Sequence, residues 1–457
     1  MFKKVFIFGF FILFPVFSQA QTIKKDTFSL KSIFSLGKLT GSIRQFSMFT
    51  DNHGDLTDYY ALAVGAGLNY ESKRWNNFQI NFGGFFVNDL ASSDFTKVDP
   101  TNKTLSRYDA GLFDILEVNN TLVSRVEKLN IRYYFKKSNL TFGKQSIKSP
   151  LVNPQDGRMT TSMLEGIYGE MNQFKNMHLE GGWLNRSSPR STFEWFKIQN
   201  SIGTYPMGVN IDGKKANYLG NIESKGLLIL GGNYAFSKKT RFSVWNYLIE
   251  NVNNTSHFQL NQDFPIKNNK IQMAVQFFGQ KALNDGGNAD QSKTYMAKGT
   301  KSYVWSSMLG YVWKKNMVTA NYSRITKAGR FQFPREWGRD PFFTFMQRER
   351  NEGLGDVHAF TTTFQKVIPA KRLTLDFGLG KYLLPDVKNF RLNKYGMPTY
   401  SQLNIGAKYA LKKDFDGLEI QLLFVKKWNN GNIYNDEKYR INKVEMTNGN
   451  LVLNYNF

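Results

Sequence analysis

The chain has 457 residues, a formal net charge of +24, no cysteine, 40 phenylalanines and 22 tyrosines. The lack of cysteine excludes disulfide scaffolds, thiolate metal sites, Fe–S clusters and cysteine nucleophiles. A mean hydropathy of −0.42, with no run of ~20 apolar residues after residue 20, excludes a bundle of membrane helices.

The first element is a leader. Met1-Phe2-Lys3-Lys4 is basic, Val5 to Phe17 is apolar, and Ser18-Gln19-Ala20 offers a small-x-small cleavage site before Gln21. That is the layout of a Sec-type signal peptide over residues 1–20, with a core too short to span a bilayer. Removing Lys3 and Lys4 leaves +22. No cysteine follows the apolar core, so no lipid is attached there. Residues 21–37 are expected to form a short periplasmic segment, and 38–457 a transmembrane barrel.

From residue 38 onward the pattern has period two. Tyr60, Leu62, Val64, Ala66, Leu68 and Tyr70 share one face, opposite Tyr59, Ala61, Ala63, Gly65, Gly67 and Asn69. Phe78, Ile80, Phe82, Gly84 and Phe86 alternate with Gln79, Asn81 and Gly83; Leu129, Ile131, Tyr133 and Phe135 alternate with Asn130, Arg132, Tyr134 and Lys136. Later, Leu403, Ile405, Ala407 and Tyr409 oppose Gln402, Asn404, Gly406 and Lys408, and Leu418, Ile420, Leu422 and Phe424 oppose Glu419 and Gln421. These runs last about 10–13 residues, which matches tilted strands crossing a bilayer and exceeds the ~5–6 of soluble sheets. Aromatics at run ends (Tyr60 and Tyr70, Tyr311 and Trp313, Tyr455 and Phe457) fit interface girdles.

The predicted strands are 38–50, 58–72, 75–88, 125–136, 139–147, 163–173, 176–186, 224–237, 239–251, 254–264, 269–281, 301–314, 316–326, 355–368, 370–383, 400–412, 416–428 and 445–457. That makes eighteen; discounting the sixth, tenth and twelfth runs moves the count towards sixteen. Tight turns at 137–139, 237–239, 314–316, 368–370 and 412–416 alternate with long connections at 89–124, 147–162, 187–223, 282–300, 327–354, 384–399 and 429–443. Short periplasmic turns and long extracellular loops are the outer-membrane pattern. Closure follows because an open edge in lipid would leave backbone groups unsatisfied. A barrel this wide is expected to hold an aqueous lumen. The ending Leu451-Val452-Leu453-Asn454-Tyr455-Asn456-Phe457 resembles the C-terminal aromatic signal recognised by the barrel-assembly machinery.

Three stretches resemble the OprD-type outer-membrane porin family, as found in Bacteroidetes and related bacteria. The opening hairpin carries Gly41, Arg44, Thr50-Asp51-Asn52, Gly54-Asp55-Leu56, Asp58-Tyr59-Tyr60-Ala61 and Gly65. The third-loop region carries Gly143-Lys144-Gln145, Pro150, Asn153, Asp156, Arg158-Met159, Glu165-Gly166 and Glu170. The seventh loop carries Arg335-Glu336-Trp337-Gly338-Arg339-Asp340-Pro341. Thr161 stands where the family's proline is expected, so the local turn differs there. The resemblance implies an eighteen-stranded, passive, substrate-selective channel, narrowed by its third and seventh loops and lined by a row of basic side chains. It also implies monomers or loose trimers.

Selectivity in a water-filled pore comes from charges projecting into a narrow lumen, where screening is weak. The polar-face parity puts Arg44, Arg132, Lys408 and Glu419 inward. Lys148, Arg158, Arg335 and Arg339 add positive charge from the loops, and Asp156, Glu165, Glu336 and Asp340 add negative charge. Asp156 and Arg158, with Gln145 at the strand end below them, are the expected constriction; the plainer role is to pin the folded-in loop to the wall. Facing signs would guide small polar solutes such as amino acids or carboxylates. Much of the +22 suits rim contacts with outer-membrane lipid and lipopolysaccharide.

Other constellations carry less. Asp51-x-His53-x-Asp55 with Asp58 lacks the glycine and glutamate placements of a calcium loop. His53, His178, His257 and His358 are scattered, and neither Gly231-Gly232 nor Gly286-Gly287 precedes a helix that could cradle phosphate. No cofactor, metal or nucleic-acid partner is expected, and no catalytic residue is assigned. The expectation is an exported outer-membrane diffusion channel of a Gram-negative bacterium. A barrel-embedded hydrolase and a surface receptor or adhesin are the alternatives.

Overall fold

The computed structural model describes residues 36–457 except 102, 104, 156 and 350; the expected leader, most of the segment after it, and Asp156 lie outside the described residues. Among those described, eighteen antiparallel strands close into one barrel. They are β1 (Lys38–Asn52), β2 (Tyr59–Glu71), β3 (Phe78–Ser92), β4 (Leu122–Phe135), β5 (Ser138–Gln145), β6 (Met163–Met171), β7 (Met177–Ser188), β8 (Leu227–Ala235) and β9 (Thr240–Ile249). The second half is β10 (Asn253–Ile266), β11 (Asn269–Ala282), β12 (Lys301–Trp313), β13 (Asn316–Ile325), β14 (Val357–Ile368), β15 (Leu373–Leu383), β16 (Tyr400–Ala410), β17 (Leu418–Asn429) and β18 (Met446–Asn456). Each predicted strand has its counterpart within a few residues. A two-residue rung at Phe196–Lys197 pairs with β7 inside a loop and is not part of the wall. No helix among the described residues is long and apolar enough to cross a membrane.

Closure is made by β18 against β1, in register from Ser42 opposite Asn456 to Asn52 opposite Met446. The last residue completes it: the Gly41 N–H donates to the Phe457 carbonyl at 2.8 Å, and the Phe457 N–H returns a bond to Gly41 at 3.0 Å. The Phe457 ring lies across Gly41, where a Cβ would come within 2.3 Å of it.

The faces follow the parity. Leu68, Leu129, Ile131, Phe142, Ile405 and Leu422 are exposed on the outer wall. At the short-turn rim, Phe78 with Tyr133 (4.9 Å), Tyr311 with Trp313 (5.5 Å) and Tyr455 with Phe457 (5.7 Å) form the aromatic girdle. The long loops share the other end: L2 (93–121), L3 (146–162), L4 (189–226), L6 (283–300), L7 (326–356), L8 (384–399) and L9 (430–445). Two connections at that end, 53–58 and 250–252, are short, so the alternation of lengths is incomplete. At the second, Asn251 takes a left-handed conformation (φ 61°), which lets three residues reverse the chain.

The lumen is narrowed from one end. Its long-loop half holds two apolar cores, because the loops fold inward with their aromatics. One joins Phe46, Tyr59, Ala63 and Val123 of the β1–β4 wall to Leu112 and Phe113 of L2 and Met159 of L3. The other joins Tyr168, Trp245, Tyr247, Phe278, Tyr382 and Tyr400 of the opposite wall to Leu151, Ile198, Phe331, Trp337 and Phe342 of L3, L4 and L7. Packing of this kind holds loops rigidly.

Candidate functional site: the channel constriction

L7 is laid along the inner wall by polar side chains that point into the lumen. Gln276 of β11 donates to the Pro341 carbonyl at 3.0 Å, and Ser306 of β12 accepts from the Phe343 N–H at 3.0 Å. Thr344 bonds Ser323 of β13 at 2.8 Å, and its carbonyl accepts from the Tyr382 hydroxyl of β15 at 2.9 Å. Gln402 of β16 donates to Gln347, and Lys427 of β17 to the Arg348 carbonyl. Arg348 itself reaches Asn448 of β18 at 2.8 Å, with Asn450 beside it. One loop thus crosses the inner faces of strands from β11 to β18. L3 meets it in mid-lumen. The Asn153 N–H donates to the Trp337 carbonyl (3.0 Å), the Arg339 N–H donates to Asn153 (3.2 Å), and Ser162 donates to the Glu336 carbonyl (2.7 Å). From the other wall, Arg44 of β1 holds the Arg158 carbonyl at 2.8 Å while its Nε donates to Asn454 at 2.7 Å.

At the seam between the two apolar cores the loops bring four guanidinium groups together: Arg107 of L2, Arg158 of L3, Arg190 of L4 and Arg348 of L7. Gly157 marks their meeting point, since a methyl there would lie 4.0 Å from an Nη1 of both Arg190 and Arg348. Burial lowers the Arg158 affinity for its proton well below normal, and the Arg348 and Arg190 charges lower it further. Burial likewise takes Arg348 down to about 10, with Arg190 and Arg107 adding to the effect. Burial is the main cause in both, and the neighbouring guanidinium charges add to it. Asp109 is the carboxylate that Arg158 and Arg348 feel. Burial raises it to about 6, although Thr50 donates to it at 2.6 Å. Aromatic faces border the cluster: Arg107 and Arg348 lie 4.9 Å and 5.7 Å from the Tyr108 ring centre, and Arg190 lies 5.6 Å from that of Tyr205.

The residues singled out from the sequence divide into four groups. Arg158 joins the arginine cluster, while Arg335 pairs with Glu352 at 3.1 Å and lies over Tyr205 and Tyr395. Arg44, Gln145 and Glu336 hold structure. Gln145, with 6% of its surface exposed, spends its amide on the carbonyls of Thr141, Gly143 and Gly166. Glu336 accepts from the Gly203 N–H at 2.8 Å and pins L4 to L7. Arg132 and the Lys408–Glu419 pair (2.8 Å) lie inward but nearer the turn end, where the two signs meet each other instead of facing across the lumen. Arg339 stacks on Phe345 at 4.9 Å with Asp340 beside it in the same strap, and Lys148 is exposed.

Glu165 is a correction. Phe142 and Ile167 are exposed on the outer wall, and Lys144 and Glu165, two residues along on the same faces, pair there at 2.6 Å. The Trp195 ring covers Lys144 at 3.6 Å. Mutual neutralisation and an aromatic cover make the charges tolerable on that side. The structure does not bring Glu165 to the constriction.

Three cluster arginines, Arg107, Arg190 and Arg348, escaped the sequence reading because loops have no periodicity. The stretch Gln347-Arg348-Glu349 was the available signal, as a charged run in a loop otherwise rich in aromatics. Arg125 escaped for another reason. Val126 and Lys128 pair with Gly84 and Gly83, leaving Glu127 as a bulge. Above it the parity inverts, so Arg125 turns inward, pairs with Glu127 at 2.6 Å and donates to the carbonyls of Thr161, Pro189 and Thr192. Lys427 was legible: it continues the inner face of Glu419 and Gln421.

Comparison with known proteins agrees with this architecture. OpdK of Pseudomonas aeruginosa, solved with vanillate, superposes with a TM-score of 0.71 over 93% of this chain and 99% of its own, at 13% identity. OccK8 (OprE) of the same organism gives 0.71, with the same coverages and 14% identity. Acinetobacter baumannii OccAB4 gives 0.72 over 92% and 98%, again at 14% identity. These likenesses establish the fold. No curated protein matches the sequence. The profile of the outer-membrane porins of the OprD family matches residues 123–351, half the chain, and spans L3, the bulged β4 and nearly all of L7. With the closed barrel and its two in-folded loops, that match makes this chain a member of the OprD family of outer-membrane porins.

Proposed function

We propose that this porin is a passive channel whose constriction favours small anions, above all solutes bearing a carboxylate. The observation that carries the reading is the meeting of Arg107, Arg158, Arg190 and Arg348 with Asp109 as the neighbouring carboxylate. Crowded cations between low-dielectric walls create a focused positive potential, and guanidinium forks match carboxylate geometry. Vanillate, the molecule in the OpdK structure, is itself a small carboxylate. No catalysis is assigned to the barrel, and much of the remaining positive charge is assigned to rim positions meeting phosphorylated lipid.

Planar-bilayer recording tests this. The reversal potential in a KCl gradient should indicate anion preference, and small carboxylates should transiently block chloride current. Arg158→Ala and Arg348→Ala should each reduce the anion preference roughly threefold or more. An anion preference untouched by both variants, or a cation preference in the wild type, would refute the proposal. Liposomes that stay impermeable while the protein cleaves lipid or peptide would favour a hydrolase instead.

A further inference from the structure

Behind Arg335 lies a second charged assembly that the pore reading does not use. Glu352 is 2% exposed in its side chain, as is Lys394 of L8, whereas Arg335 keeps 18%. One Glu352 oxygen takes the Arg335 Nε at 3.1 Å and the Tyr395 hydroxyl at 2.7 Å. The other faces the Lys394 Nζ at 3.5 Å and the Tyr295 hydroxyl at 3.4 Å. The ammonium sits among three rings, with centres at 4.9 Å (Tyr218 of L4), 4.8 Å (Tyr295 of L6) and 5.4 Å (Tyr395 of L8). Backbone bonds clamp the residue: its N–H donates to Gly353 of L7 at 3.0 Å, and its carbonyl accepts from Val209 of L4 at 2.9 Å.

We propose that Lys394 is a positioning residue for selectivity: protonated, it competes with Arg335 for Glu352 and so adds positive charge beside that guanidinium. This rests on the anion-selective reading above. Lys394 and Arg335 both draw on Glu352, so the assembly carries one more positive charge while Lys394 is protonated than when it is neutral. A buried ammonium is a costly way to fill space, and an apolar side chain would serve packing better. Three tyrosine faces supply attraction that ordinary apolar neighbours would not.

The arrangement makes the net charge depend on pH. Burial, then the like charges of Arg330 and Arg335, bring Lys394 down to about 8, with Glu352 and Glu336 opposing. Among the described residues, those four groups of L7 face it, with Tyr218, Tyr295 and Tyr395. Burial pushes Tyr218 and Tyr295 well above 10. Burial also works against the Arg335 charge, but Tyr395 and Glu352 outweigh it and the charge is retained. Lys394 is therefore the group of this assembly that changes charge between neutral and mildly alkaline pH.

The test is chloride-over-potassium permeability from pH 6.5 to 9.5 for the wild type, Lys394→Met, Lys394→Arg and Arg335→Ala, with heat-modifiable gel mobility confirming folded barrels. The wild type should lose roughly half its anion preference across a midpoint near 8. Lys394→Met should show the lower preference at every pH, Lys394→Arg should keep the higher one at pH 9, and Arg335→Ala should lose the step. A flat wild-type profile, or an unchanged step in Lys394→Met, overturns the proposal. If the wild type lacks anion preference at any pH, the anion-selective reading itself fails; if the preference exists and falls in Arg348→Ala but ignores both pH and Lys394, only this inference fails.

Discussion

The two ends of the lumen treat charge in opposite ways. Towards the short turns, inward charges meet carboxylates in pairs, Lys408 with Glu419 at 2.8 Å and Lys270 with Asp263 at 3.0 Å, while Arg132 bonds the Thr141 hydroxyl. At the constriction, four arginines from four loops converge on the neighbourhood of Asp109. Paired charges cancel within a few ångströms and cast little field, while like charges crowded between apolar cores reinforce one another. The number of charged residues in a pore is therefore a poor guide to its selectivity. What counts is which of them crowd with their own sign.

The largest blow to this contrast should come from Gly111→Leu. A Cβ at Gly111 would lie 2.7 Å from the Arg158 Nε, so a branched side chain must displace that guanidinium. Anion preference should fall about as far as in Arg158→Ala, with the barrel still folded; unchanged permeability ratios would remove Arg158 from the path. A smaller effect should come from acid. Asp109 is charged above about 6 and gains a proton below it, so the cluster becomes more positive. Anion preference should rise between pH 7.5 and 5, and Asp109→Asn should hold the acid value throughout. An opposite slope in the wild type would mean that other groups dominate. The smallest effect belongs to the turn end. Lys408→Gln and Glu419→Gln together remove one part-exposed pair worth ~0.2–1 kcal/mol, and the reversal potential should barely move. A large shift there would break the comparison.

The seam offers a test of assembly instead of selectivity. Gly41→Val would place branched carbons where the Phe457 ring lies, and should sharply lower the yield of folded, heat-modifiable barrel.

The wall was legible because its pattern is set locally. Lipid on one side and water on the other select alternate residues one by one, so the strand count, the seven long loops and the inward parity of Arg44, Arg132 and Lys408 follow from neighbouring positions alone. Where the chain departs from that rule, local reasoning fails. The bulge at Glu127 inverts the parity and hides Arg125, and the register of β5 with β6 carries Glu165 to the outer wall with Lys144. The constriction lay beyond reach for a deeper reason. Its contacts join positions far apart in the chain, such as Arg44 to Asn454 and Asn153 to Arg339, and no periodicity links the loops that supply Arg107, Arg190 and Arg348. Sequence determined that this chain is a barrel with a polar interior, since solvent acts on each residue separately. Only the tertiary structure decided which charges crowd together, because that depends on which loops the packed aromatics draw together.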